Sequence, residues 1–148
     1  MTKRVVVIQG HPDPSGNHML NLMADAYVES ATTAGHSVRR IEVAKLEFPL
    51  LRTQVDFETG ALPSTLAQSR DDMRWAEHWV FMFPLWHGTM PALFKGFLEH
   101  IFRPGLRWNT GKKAETTARW ALCADRRDNG NAGAVLSLVL RRLRGTRF

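Results

Sequence analysis

Cysteine is nearly missing from this chain: Cys123 is the only one in 148 residues. A single thiol excludes an internal disulfide and any metal centre built from several thiolates. It also points to a cytoplasmic protein, since thiols stay reduced there. Long apolar runs are missing as well. None approaches the roughly 20 residues that span a bilayer, so no transmembrane segment is expected. The amino-terminal run Val5–Ile8 is too short for the core of a signal peptide. Two nucleotide fingerprints are absent. No Gly-x-Gly-x-x-Gly follows the first apolar run, which argues against a Rossmann dinucleotide site. The segment GLRWNTGKK has neither the spacing nor the preceding strand of a P-loop. His78 and His100 lack metal-ligand spacing and read as structural, so no metal is expected. No internal repeat or linker divides the chain, and its length suits one domain with a real core.

What is present is ordinary in bulk and uneven in distribution. The chain is 44% hydrophobic and 23% charged, as soluble globular proteins are. Its net charge of +6 comes from one end. Residues 1–111 carry 11 basic and 11 acidic side chains, whereas residues 112–148 carry 9 and 3. Residues 1–111 therefore read as the folded core and 112–148 as a basic, atypical tail of the same domain. Arg141, Arg142, Arg144 and Arg147 cluster there. No aromatic pattern interleaves them and no groove-reading motif precedes them, so nucleic acid is not an expected partner.

The stretch from His78 to Arg103 organises the rest. His78–Phe83 is an unbroken apolar run, the pattern of a parallel strand buried on both faces. Pro84 stops the ladder, having no N–H to give. From Pro91 the period becomes helical. Phe94, Phe97, Leu98 and Ile101 share one face, and Lys95, Glu99 and Arg103 share another. Thr89 is placed to cap this helix. The loop between strand and helix, PLWHGTM, lies where open α/β sheets bind ligands. It offers Trp86, His87, Met90 and the close approach that Gly88 permits. Trp86 reads equally as a pocket wall or a core aromatic, and His87 as a ligand contact or a solvated loop histidine.

Upstream, Lys3–Gln9 reads as a second doubly buried strand. The loop GHPDPSGN follows, and Ser15 is expected to cap a helix running to about Thr33, with Met19, Leu20, Met23, Ala26 and Tyr27 on its apolar face. His36–Val43 reads as an edge strand because of Arg39, Arg40 and Glu42. Ala44–Leu62 shows no clear period. Pro63 starts a helix with Leu66, Met73 and Ala76 inward. These elements make the first half of a doubly wound α/β sheet. The loop from His11 to Asn17 opens a helix after a strand, where free N–H groups and the helix dipole favour an anion. Ser15 adds a hydroxyl, Asn17 an amide and His11 an imidazole, with His18 beside them.

PLWHGTMPALFKGF and HPDPSGNHML together resemble the flavodoxin-like NAD(P)H:quinone oxidoreductases. The resemblance covers residues 3 to about 111. It implies a flavodoxin-like, three-layer α/β/α fold and a bound FMN or FAD. His11, Ser15, Gly16 and Asn17 would hold the flavin phosphate, and Pro84, Leu85, Trp86, His87 and Gly88 would lie along the ring. It further implies NAD(P)H as co-substrate, a quinone-type acceptor, hydride transfer through flavin N5, and a homodimer. No acid–base residue is required, so none is assigned.

The tail departs from that pattern. The fourth strand and a third flavin segment are not matched, so the sheet is expected to be incomplete on that side. Residues from about Glu115 onward read as a shifted frame. Codons allowed for Ala124–Gly145 can spell PIVVTMGMPALYSRWYFGAS one nucleotide later, a buried-strand run followed by a TMGMPA loop. The other readings are a flavodoxin-like module without enzyme activity and a frame-altered gene product.

Overall fold

The computed structural model describes residues 2–104 and the backbone of 117–123. Strand β1 (Arg4–Gln9) leads by a loop to helix α1 (Met19–Thr33), then strand β2 (Ser37–Glu42). A short 3-10 turn and helix α2 (Gln54–Thr59) precede helix α3 (Ala67–Trp75). Strand β3 (His78–Pro84), helix α4 (Ala92–Ile101) and strand β4 (Thr117–Cys123) follow. The sheet has the order β2-β1-β3-β4 and every pairing is parallel. β1 therefore lies between β2 and β3, and the chain reverses its direction of winding between them. That reversal opens a crevice at the carboxyl ends of β1 and β3.

Alternation along β1 builds the three layers. Val5 and Val7 point to α1 and pack with Leu20 and Ala24. Val6 and Ile8 point the other way, into a cluster with Leu66, Met73, Phe81, Phe94, Phe97 and Ile101. All four valine and isoleucine side chains are buried, as a strand covered on both faces requires. β2 is the edge strand, with Arg39 exposed, Arg40 and Glu42 half-buried and Ile41 buried. No helix among the described residues is long and apolar enough to cross a membrane.

Four expectations are corrected. First, β3 does not lack an outer neighbour: Thr117–Cys123 pairs along its whole length, from His78↔Thr117 to Pro84↔Cys123. A register partner fixes seven residues that periodicity alone did not mark. Ala124–Gly145, where the shifted-frame string falls, lies outside the described residues. Second, α1 begins at Met19, not beside Ser15. Gly16 is left-handed (φ 75°), which breaks any helix begun at Ser15. Third, Thr89 does not cap α4. Pro91 holds that position and gives no side-chain bond. Fourth, Arg103 is not on the polar face with Lys95 and Glu99. Those two pair with each other, but Arg103 is buried and donates to the backbone oxygen of Asp56 at 3.2 Å. Helix α4 ends at Ile101, so the i, i+4 spacing does not reach Arg103.

The segment after β2 is held by several anchors. Thr53 caps α2 by accepting from the Asp56 N–H at 3.0 Å. His100 donates from Nε2 to the Pro49 carbonyl at 2.7 Å, and its ring meets Phe48 edge-on. Thr65 donates to the Glu47 carbonyl. A six-residue helix is too short to show a period, which is why α2 was not legible.

Candidate functional site

The two loops singled out in the sequence meet at the crevice. β1 and β3 bring them together, and the Gly10 N–H donates to the Met82 carbonyl at 2.7 Å, past the end of the regular ladder. Gly10 is required there. A Cβ at this position would lie 2.4 Å from the Phe94 ring, so only glycine lets the chain leave β1 over α4.

Beyond Gly10, His11 is buried (7% exposed), whereas Ser15, Gly16 and Asn17 are open to solvent. The Asp13 N–H donates to His11 Nδ1 at 3.1 Å. That leaves the ring proton on Nε2 and makes His11 a donor at its far side. The first bond of α1 joins the Asn21 N–H to the His18 carbonyl at 3.0 Å, so the N–H groups before it lie at the positive end of the helix. Ser15 and Asn17 stand at this end with their polar side chains in water.

Two residues matter more here than their sequence context suggested. His18 stacks on His11, with ring centroids 3.8 Å apart and planes 19° from parallel. Its Nε2 lies 2.8 Å from Asp13 Oδ2 and 3.4 Å from Ser15 Oγ. Asp13 also accepts the Ser15 N–H at 2.8 Å. The Ser15 backbone N–H, and then His18, lower the Asp13 carboxyl from 3.8 to about 2. Asp13 thus folds the loop on itself as a carboxylate. An acidic residue inside an expected anion loop gave no such signal in sequence, because its partners are neighbours in the turn.

On the other side, Pro84 is the buried last residue of β3 and Leu85 is half-buried. Trp86 and Thr89 exchange both backbone bonds, at 2.9 and 3.0 Å. His87 (φ 48°) and Gly88 (φ 77°) form the tip, both left-handed, the φ pattern of a two-residue hairpin turn. Histidine tolerates that region and glycine favours it. Trp86, His87 and Gly88 are exposed, with Trp86 at 38%. Trp86 meets His11 edge-on with centroids 6.2 Å apart. An anion-favouring helix end and an exposed indole therefore share one rim. His78 lies at the opposite end of β3 from this rim, and among the described residues no His/Cys/Asp/Glu cluster could hold a metal.

Comparison with known proteins supplies the context. A curated relative, a ribosyldihydronicotinamide dehydrogenase-like protein of Penicillium crustosum, is 26% identical over 137 residues. The match covers 79% of this chain and 49% of the relative, so the chain spans about half of that protein's length. Among solved structures, an NAD(P)H:quinone oxidoreductase from Methanothermobacter marburgensis superposes with a TM-score of 0.66 at 20% identity, over 84% of this chain and 65% of that one. An FMN-dependent NADH-azoreductase from Bacillus anthracis, solved with FMN, gives 0.52 at 14% identity, over 80% and 66%. At these identities the structural likeness speaks to the fold. The family model described as "Flavodoxin-like fold" matches residues 3–133, running past Gly111, near which the resemblance was expected to end. With the parallel order β2-β1-β3-β4 and that match in hand, this chain belongs to the flavodoxin-like fold family.

Proposed function

We propose that this chain is the flavin-binding part of an NAD(P)H:quinone oxidoreductase that reduces quinones or related acceptors. The observation that carries the proposal is the edge contact between His11 and Trp86, which joins a phosphate-suited loop to an aromatic turn on one rim. The donor set fits a flavin nucleotide. His11 Nε2–H, the Ser15 hydroxyl, the Asn17 amide and the N–H groups of Gly16 and Asn17 suit a phosphate. Pro84, Leu85 and the Trp86–Gly88 backbone suit a flat ring beside β3, with His87 at the tip of the turn. Either FMN or FAD is compatible with these groups. FMN is favoured by the Bacillus anthracis azoreductase, which was solved with it.

A flavin held there would supply two-electron, hydride-level redox chemistry between NAD(P)H and a quinone-type acceptor. The chain's residues bind and orient the cofactor. The Trp86 indole excludes water from one rim, and His11 holds its donor proton at Nε2. No group here is asked to carry a proton. A homodimer with the site at its interface and a cytoplasmic setting complete this reading. Flavin-loaded protein should consume NADH or NADPH when a benzoquinone is added. Loaded protein that leaves both nucleotides untouched would overturn the enzyme assignment.

The tail supports a second reading, a frame-altered product of a longer flavoprotein gene. The string PIVVTMGMPALYSRWYFGAS, permitted one nucleotide out of frame over Ala124–Gly145, offers another buried-strand run. Sequencing the coding DNA decides this. A +1 frame without the TMGMPA string ends the idea.

A further inference from the structure

The carboxyl edge of the sheet carries a second polar feature, on the α1 face between β1 and β2. Gln9, His11, Asp13, Asn21 and Glu42 line a cavity of about 10 Å³ there. Gln9 is only 3% exposed. Its Oε1 accepts from Arg40 Nε at 2.5 Å, and Arg40 Nη1 is held by Asp25 at 2.5 Å. That arginine fixes which end of the Gln9 amide is oxygen. The Nε2 of Gln9 is buried without a partner among the described residues, and so is Oδ1 of Asn21 on α1. One is a donor, the other an acceptor, and both residues line the same cavity. Buried polar groups in folded proteins are met by partners, ordered water included.

We propose that this cavity is a hydroxyl site: one O–H accepts from Gln9 Nε2 and donates to Asn21 Oδ1. The volume is that of one water-sized group. Chemistry narrows it further. An ammonium ion cannot accept from Gln9. A carboxylate or phosphate cannot donate to Asn21, and it would face the carboxylates of Asp13 and Glu42. A hydroxyl does both and carries no charge. Its source is a resident water or a hydroxyl of a bound nucleotide, and either joins the end of β1 to the first turn of α1 beneath the anion loop. The site stands without the flavin reading, and only the second source depends on it.

Crystals of the full chain, grown alone and with FMN, test the proposal. The expected result is an oxygen about 2.7–3.2 Å from both Gln9 Nε2 and Asn21 Oδ1 in each form. An isolated water in both identifies the resident source, and a ligand hydroxyl in the FMN form identifies the nucleotide. An empty cavity, or the two amides bonded directly to each other, overturns the site. In solution, Asn21→Leu removes the acceptor and strands the hydroxyl, and should lower the thermal midpoint by about 5 °C. A leucine variant as stable as the parent would contradict the proposal independently of any crystal.

Discussion

Single side chains at the rim carry separable jobs, and each can be tested alone. Ser15 is exposed and near His18, so removing its hydroxyl disturbs little packing. Ser15→Ala should weaken flavin nucleotide binding by about ten- to a hundredfold, the worth of one hydrogen bond to a charged group. A titration showing unchanged affinity would remove Ser15 from the phosphate site. Asp13 has the opposite character. Its carboxyl ionises at about 2 instead of 3.8, so its bonds to Ser15 and His18 are complete above pH 4 and are lost as pH falls through 2. An NMR titration of this carboxyl in the folded chain should find its midpoint well below 3, whereas one at the ordinary value would mean the loop is not closed as described. Gly88 has nothing within 4 Å of its would-be Cβ but sits at φ 77°. Its substitution therefore strains the turn rather than filling the site. Gly88→Val should cost about 1–3 kcal/mol and lower flavin affinity with it. Gly88→Asn, which tolerates left-handed backbone, should retain both. Equal behaviour of the two variants in melting and flavin titration would contradict the turn's role.

At the level of elements, the crossing of β1 over α4 is the tightest joint near the site. A methyl at Gly10 would sit 2.4 Å from the Phe94 ring, and Phe94 is fully buried between Phe81, Phe83 and Phe97. Gly10→Ala should therefore destabilise the chain by about 1–3 kcal/mol, as overpacking does, and denaturant unfolding would show it as a lower midpoint. An alanine variant with the parent's midpoint would mean the ring has room to move. The elements also show what sequence reveals and what it hides. β1 and β3 were legible because Val5–Ile8 and His78–Phe83 are unbroken apolar runs, and the apolar face of α4 because Phe94–Ile101 follows a helical period. β4 was hidden because Arg119 interrupts its pattern and its pairing to β3 is a long-range fact. The start of α1 was misplaced because the left-handed Gly16 overrides Ser15 as a cap. The loops carrying His11–Asn17 and Pro84–Gly88 were recognised from local motifs, but their meeting through His11 and Trp86 depends on strand order, and the stacking of His18 on His11 on the fold of the turn. Arg103 was misassigned because a helical period was extended past the helix.

For the whole molecule, the proposed function requires that the crevice between β1 and β3 hold a flavin nucleotide by its phosphate as well as its ring. Winding reverses between β2 and β3, so the amino end of α1 and the Trp86 turn rise on either side of that crevice. A ligand with both a ring and a phosphate uses both loops, and a ligand with the ring alone uses one. Riboflavin and FMN differ only in that phosphate. The most direct measurement is therefore a fluorescence titration of the flavin-free chain with each. FMN should bind about ten- to a hundredfold more tightly than riboflavin, with the advantage shrinking as salt is added. Equal affinity for the two, or no binding of either by a cooperatively folded chain, would contradict it.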